Sequence, residues 1–122
     1  MKRRSRGELE ALVMDVLWDS ARPMTPRDVH ETVATPRRPL AYTTVMTILV
    51  RLWEKGMLDR QASGRAYAYR PVASREDWTA RRMHELLEAS GNSFAALQGF
   101  LDSITAKEAA ELRRALDQRR KR

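Results

Sequence analysis

The chain contains no cysteine. That excludes disulfides, thiolate metal sites and cysteine nucleophiles, and it fits a reducing cytoplasm. Long apolar runs are missing too. The sequence opens on Lys2-Arg3-Arg4, but Glu8, Glu10 and Asp15 interrupt the residues after it, so no signal-peptide core is present. Nowhere does it approach the roughly 18 apolar residues of a membrane span. A soluble, cytoplasmic protein is expected. The two histidines, His30 and His84, lie far apart with no second ligand type beside either, a poor pattern for metal. Gly64 and Gly91 stand alone as turn residues, and no phosphate-cradling glycine loop exists. Acidic residues fall opposite apolar stripes rather than in facing pairs. No catalytic constellation and no cofactor are therefore expected.

What is present points elsewhere. The 122 residues are 43% hydrophobic, enough for one folded domain with a small appendage. The net charge is +7 and is unevenly spread. Residues 1–72 carry 13 basic and 8 acidic side chains, whereas residues 73–118 carry 6 and 8. The basic tail Arg119-Arg120-Lys121-Arg122 comes last. A basic front half before an acidic back half suggests a polyanion-binding domain, residues 1–72, joined to a second segment, residues 73–122. The tail reads as a solvated basic end.

Leu9, Leu12, Val13, Val16 and Leu17 recur at helical spacing, so residues 7–19 read as a helix, with Trp18 extending its edge. Ser20 to Pro23 break it. Met24 falls where a very short strand fits. Thr25-Pro26 makes an N-cap followed by proline at the first helical position, with Asp28 in the first turn. Val29 and Val33 are the inward face of this second helix, and Pro36 and Pro39 bracket a basic Arg37-Arg38 loop.

The next stretch, AYTTVMTILVRLWEKGML, carries conflicting signals. Six of the eight residues from Thr43 to Val50 are β-branched, which suits a strand. As a strand, however, neither face is cleanly apolar. As a helix over residues 43–55, Val45, Ile48, Leu49 and Leu52 share one stripe with Trp53 beside it, and Gly56 supplies a left-handed C-terminal cap. The helix reading prevails at a cost of a few tenths of a kcal/mol per β-branched residue. After Gly56 the period changes to two. Leu58, Arg60 and Ala62 alternate, Ser63-Gly64 turns the chain, and Tyr67 and Tyr69 alternate on the return, giving a hairpin with Arg65 near its tip and Pro71 closing it.

The expected architecture is mainly α with a small β-hairpin: a winged helix-turn-helix domain followed by a C-terminal helical arm. In a helix-turn-helix the second of the paired helices occupies the DNA major groove. Opposite the buried stripe of residues 43–55 lie Thr43, Thr47, Val50 and Glu54, flanked by Thr44, Arg51 and Lys55. Threonine hydroxyls can bond phosphates or base edges, and the methyl can touch that of thymine. A merely solvated face is the bland alternative, but such positions usually take better helix formers. An adaptor winged helix without DNA binding is the other class to weigh. Arg51, Lys55, Arg65 and the Arg37-Arg38 loop argue against it.

The segments LEALVMDVLW, AYTTVMTILVRLWEKGML and RAYAYRPV resemble the penicillinase-repressor family (BlaI/MecI type) over almost the whole chain. The resemblance implies a winged-helix transcriptional repressor that binds inverted-repeat operators as a homodimer. It also implies, for members under β-lactam control, a membrane-bound sensor protease whose action leads to cleavage of the dimerisation arm and derepression. Where those members carry an Asn-Phe scissile pair, this chain reads Gln98-Gly99-Phe100. Copper-responsive relatives carry cysteine pairs that are absent here. The expected DNA-facing set is Thr25, Arg27, Tyr42, Thr43, Thr44, Thr47, Arg51, Lys55 and, in the wing, Arg65.

Residues 74–118 read as three short helices. Ser74 to Asp77 resembles a capping box, Gly91-Asn92 ends the first helix, and Thr105 to Glu108 opens the last. Helices this small bury too little surface alone. Packing against a second copy is expected through Trp78, Met83, Leu86, Leu87, Phe94, Leu97, Phe100, Leu101, Ile104, Leu112 and Leu116.

Overall fold

The computed structural model describes residues 5–121, so Lys2-Arg3-Arg4 and the last tail residue, Arg122, lie outside the described residues. The chain divides into two compact units, the first ending at Trp78 and the second beginning at Thr79.

Helix α1, Arg6–Asp19, starts where the Ser5 hydroxyl accepts the Glu8 N–H at 3.2 Å. Val13, Met14 and Leu17 are buried, with Leu9, Val16 and Trp18 packed at the margin. Met14 lies outside the stripe read from sequence. It is buried because α1 meets three elements, α2, α3 and β2, which cover a wider arc than one stripe. Helix α2, Pro26–Val33, has the full capping box between Thr25 and Asp28, and its Val29 and Val33 enter the core. At its C-terminus Arg38 Nε donates to the Val33 carbonyl at 2.8 Å, satisfying one of the acceptors a helix end leaves open.

The ambiguous stretch is helical. Helix α3 spans Tyr42–Glu54 and buries Val45, Ile48, Leu49 and Leu52. Its end is a Schellman motif: the Gly56 N–H bonds the Trp53 carbonyl at 3.0 Å and the Met57 N–H bonds the Leu52 carbonyl at 2.9 Å. That closure requires the left-handed backbone of Gly56, φ +79°. It turns Met57 and Leu58 directly into the core.

Strands β1, Leu58–Ser63, and β2, Ala66–Pro71, pair antiparallel, from Leu58 opposite Pro71 to Ser63 opposite Ala66. Gly64, at φ +62°, takes the first position of the two-residue loop and Arg65 the second. Met24 forms the expected short strand as a single bridge. Its N–H and carbonyl exchange bonds with Tyr69 at 2.9 and 2.8 Å. Tyr69 is fully buried, whereas Tyr67 is exposed because the hairpin runs past the edge of the core.

The remaining helices are α4, Arg75–Ala89; α5, Ser93–Ser103; and α6, Ala106–Arg120. Asn92 caps α5, and Thr105 with Glu108 forms the expected capping box of α6. The start of α4 belongs to the first unit. Trp18 Nε1 donates to the Ala73 carbonyl at 3.0 Å, and Trp18 meets Trp78 edge to face at 5.9 Å. Arg75 pairs with Asp15 and lies over the Trp18 ring. Trp78, assigned from sequence to the dimer face, packs on α1 within the chain. Its position on the α4 stripe could not reveal that Trp18 stood opposite.

Candidate nucleic-acid interface

The outward side of α3 carries Thr43, Thr47 and Arg51, with Thr44 half-buried beside them. Its N-terminus differs from those of α2 and α6, because Ala41 at the N-cap offers no side-chain acceptor. The Thr44 and Val45 N–H groups bond the Ala41 carbonyl at 3.1 and 3.3 Å. Among the described residues no protein acceptor faces the N–H groups of Tyr42 and Thr43. Two open donors at the positive end of a helix dipole suit an anionic oxygen.

Thr47 is more constrained than its sequence suggests. Its hydroxyl donates to the Thr43 carbonyl at 2.9 Å. The proton is committed to the helix, so the oxygen remains as an acceptor, with the methyl beside it. Such a group can receive an amino donor of cytosine or adenine or touch a thymine methyl. Tyr42 is oriented from behind. His30 meets its ring edge to face at 5.8 Å, and His30 Nε2 bonds the Leu40 carbonyl at 2.8 Å, which fixes that nitrogen as the protonated one.

Arg6 was not among the expected residues. It lines a shallow concavity together with Leu9, Thr44, Thr47, Ile48 and Arg51. Two guanidinium groups thus flank the threonines, one from α1 and one from α3. Arg6 is 60% exposed and its Nε lies 3.8 Å from Glu10. The only sequence signal was the four-residue spacing of Arg6 and Glu10, and that does not say which helix stands next to α1.

Other expected residues are committed elsewhere. Lys55 Nζ donates to both Glu10 oxygens, at 3.2 and 3.4 Å, and so ties the end of α3 to α1. Glu10, whose side chain is 4% exposed, is the one charged residue buried in the core among the described residues. Sequence periodicity places it on the solvent side. Arg38 serves the end of α2, which leaves Arg37 as the exposed arginine of that loop. Thr25 uses its hydroxyl as the α2 cap, and exposed Arg27 pairs with Glu31 at 3.3 Å. Arg65 stands exposed at the hairpin tip.

A family model for the penicillinase repressor matches residues 6–118. The chain belongs to the penicillinase-repressor family. The transcriptional regulator BlaI of Mycobacterium tuberculosis is 46% identical over 113 residues, covering 90% of this chain and 81% of that protein. The penicillinase repressor of Bacillus licheniformis is 29% identical over 122 residues, covering 97% and 92%. Among solved structures, the DNA-binding domain of the repressor BlaI superposes with a TM-score of 0.51 at 28% identity, covering 63% of this chain and 93% of that domain. The fold is a winged helix, and relatives in this family are named as regulators and repressors rather than enzymes.

In the second unit of this family member, Met83, Leu86, Phe94, Leu97, Phe100, Leu101, Leu112 and Leu116 are all exposed, Phe94 to 71%. Leu87 and Ile104 are half-buried. No residue of α4, α5 or α6 is buried.

Proposed function

We propose that this chain is a DNA-binding transcriptional repressor that grips an inverted-repeat operator as a homodimer. The observation that carries the DNA reading is the uncapped start of α3, with its open N–H donors, the threonine face and the flanking Arg6 and Arg51. In this reading Thr43, Thr44 and the α3 N-terminus hold a phosphate, Thr47 meets a base edge, and Arg6, Arg51 and Arg65 neutralise the backbone. The homodimer is supported by the arm. Its three helices contain no fully buried residue and expose a density of large apolar side chains that isolated soluble domains rarely tolerate.

Derepression by proteolysis of the arm belongs to the same proposal, with a β-lactam-linked sensor protease as the further partner. The bond at the relevant position is Gly99-Phe100 inside α5, and both residues are exposed. Glycine inside a helix weakens it by about 0.5–1 kcal/mol relative to alanine, which eases the local unwinding a protease requires.

The deciding experiment is a titration of full-length protein against an inverted-repeat duplex and a scrambled duplex over a salt series. Tight, sequence-dependent binding with a steep salt slope is the expected result. A shallow slope without preference between the duplexes would favour a protein-interaction adaptor.

A further inference from the structure

The distal half of the hairpin has few attachments to the rest of the molecule. Residues 61–67 are all exposed, and the buried hairpin residues, Leu58, Ala68 and Tyr69, lie nearer its base. One contact reaches further out. The Arg60 guanidinium lies 3.6 Å from the ring centre of Trp53, near the end of α3, and 4.0 Å from that of Tyr67, toward the wing tip. Its Nη1 also donates to the Tyr69 hydroxyl at 3.4 Å. Arg60 sits opposite Tyr69, and Ala62 opposite Tyr67, so these side chains share one face of the hairpin. The planar cation is thus held between a ring from α3 and a ring from the returning strand.

We propose that Arg60 is a positioning residue: stacked between Trp53 and Tyr67, it sets the angle of the wing to α3 and so delivers Arg65 to the DNA backbone. The inference rests on the DNA-binding reading above. A guanidinium suits this task because its flat face can meet two rings at once, whereas an ammonium is a compact point charge. Arginines close to a DNA-binding face usually count as phosphate contacts. Here the charge is spent on the rings and the tyrosine hydroxyl, and its influence on DNA passes through the tip at the far end of the hairpin.

The test is a mutant cycle in the full-length protein, read as operator affinity and salt slope. Urea midpoints establish that each variant is folded. Arg60→Gln and Tyr67→Leu should each weaken operator binding by about the factor that Arg65→Ala does, as expected if they disable the same contact. In the Arg65→Ala background neither should weaken it further, and Arg60→Lys should behave as Arg60→Gln does. Losses that multiply, with the salt slope falling by about one more unit in the double variant, would make Arg60 a direct phosphate contact and overturn the proposal. Wild-type affinity in Arg60→Lys would overturn it too, because charge rather than stacking would then matter. Either result leaves the DNA-binding reading intact. A wild-type protein that bound no duplex would instead sink that reading and this inference with it.

Discussion

Replacing Lys55 with methionine should destabilise the winged-helix unit far more than loss of an ordinary surface lysine would. The Glu10 side chain is 4% exposed and receives Lys55 at 3.2 and 3.4 Å, while Arg6 stands off at 3.8 Å. At an effective dielectric near 20, a contact of this length is worth roughly 4 kcal/mol of gross attraction, which desolvation of the carboxylate largely offsets. The net worth of the pair is therefore small. Removing only the cation is different, because the buried carboxylate then loses its direct partner. Fully buried cases lose about 3–5 kcal/mol. Lys55 is 33% exposed, so water can enter in its place, and the expected loss falls to about 2 kcal/mol. For a unit of this size that corresponds to a drop in Tm on the order of 10 °C. Glu10→Gln should cost less than about 1 kcal/mol, since the freed ammonium can turn to solvent and the amide still accepts a bond. The double variant should resemble Glu10→Gln, giving a coupling energy of about 2 kcal/mol, the whole Lys55→Met loss. All three tryptophans, Trp18, Trp53 and Trp78, lie in the first unit, so their fluorescence in urea reports that unit alone. Urea is preferred over guanidinium chloride because the latter would screen the pair. Additive losses, or a Lys55→Met cost below about 0.5 kcal/mol, would refute the argument that Glu10 is held as a paired charge.

The same structure sets three further outcomes. Thr47→Ala removes the hydroxyl and its neighbouring methyl and frees the Thr43 carbonyl; alanine is the stronger helix former, so stability should hold while discrimination at one base pair falls by roughly 1 kcal/mol, whereas Thr44→Ala should weaken operator and scrambled duplexes alike. Paired binding titrations of both variants check this, and unchanged operator affinity in both would remove α3 as the reading head. Truncation after Arg82 keeps Trp78 on Trp18 but removes most of the exposed apolar face, and sedimentation should show a folded monomer with weakened operator binding. A truncated dimer would place the interface elsewhere. Gly56→Ala, at φ +79° with open space around the missing Cβ, should cost about 1–2 kcal/mol from backbone strain alone, measured by urea denaturation.

Local chemistry was enough to predict the elements. The Thr25-Pro26 cap, the 3.6-residue stripe of Val45, Ile48, Leu49 and Leu52, and the Gly56 and Gly64 turns each act within a few residues, so sequence spacing alone reports them. The same locality made the outward threonine face legible. What the sequence could not contain was the identity of neighbours across space. Glu10 looked solvent-facing until α3 brought Lys55 to it, and Arg6 joined Thr44 and Arg51 only because α1 packs beside α3. Trp78 looked like part of the arm until Trp18 appeared opposite it, and Arg38 looked like a free cation until the end of α2 needed a donor. Periodicity tells which face of a helix is apolar, but not which element covers it. A long charged side chain also reaches far enough that its partner can lie on any element that packs nearby. The sequence therefore determined the helices, the wing and the outward face of α3, while tertiary packing decided which charges hold the fold together and which remain for a partner.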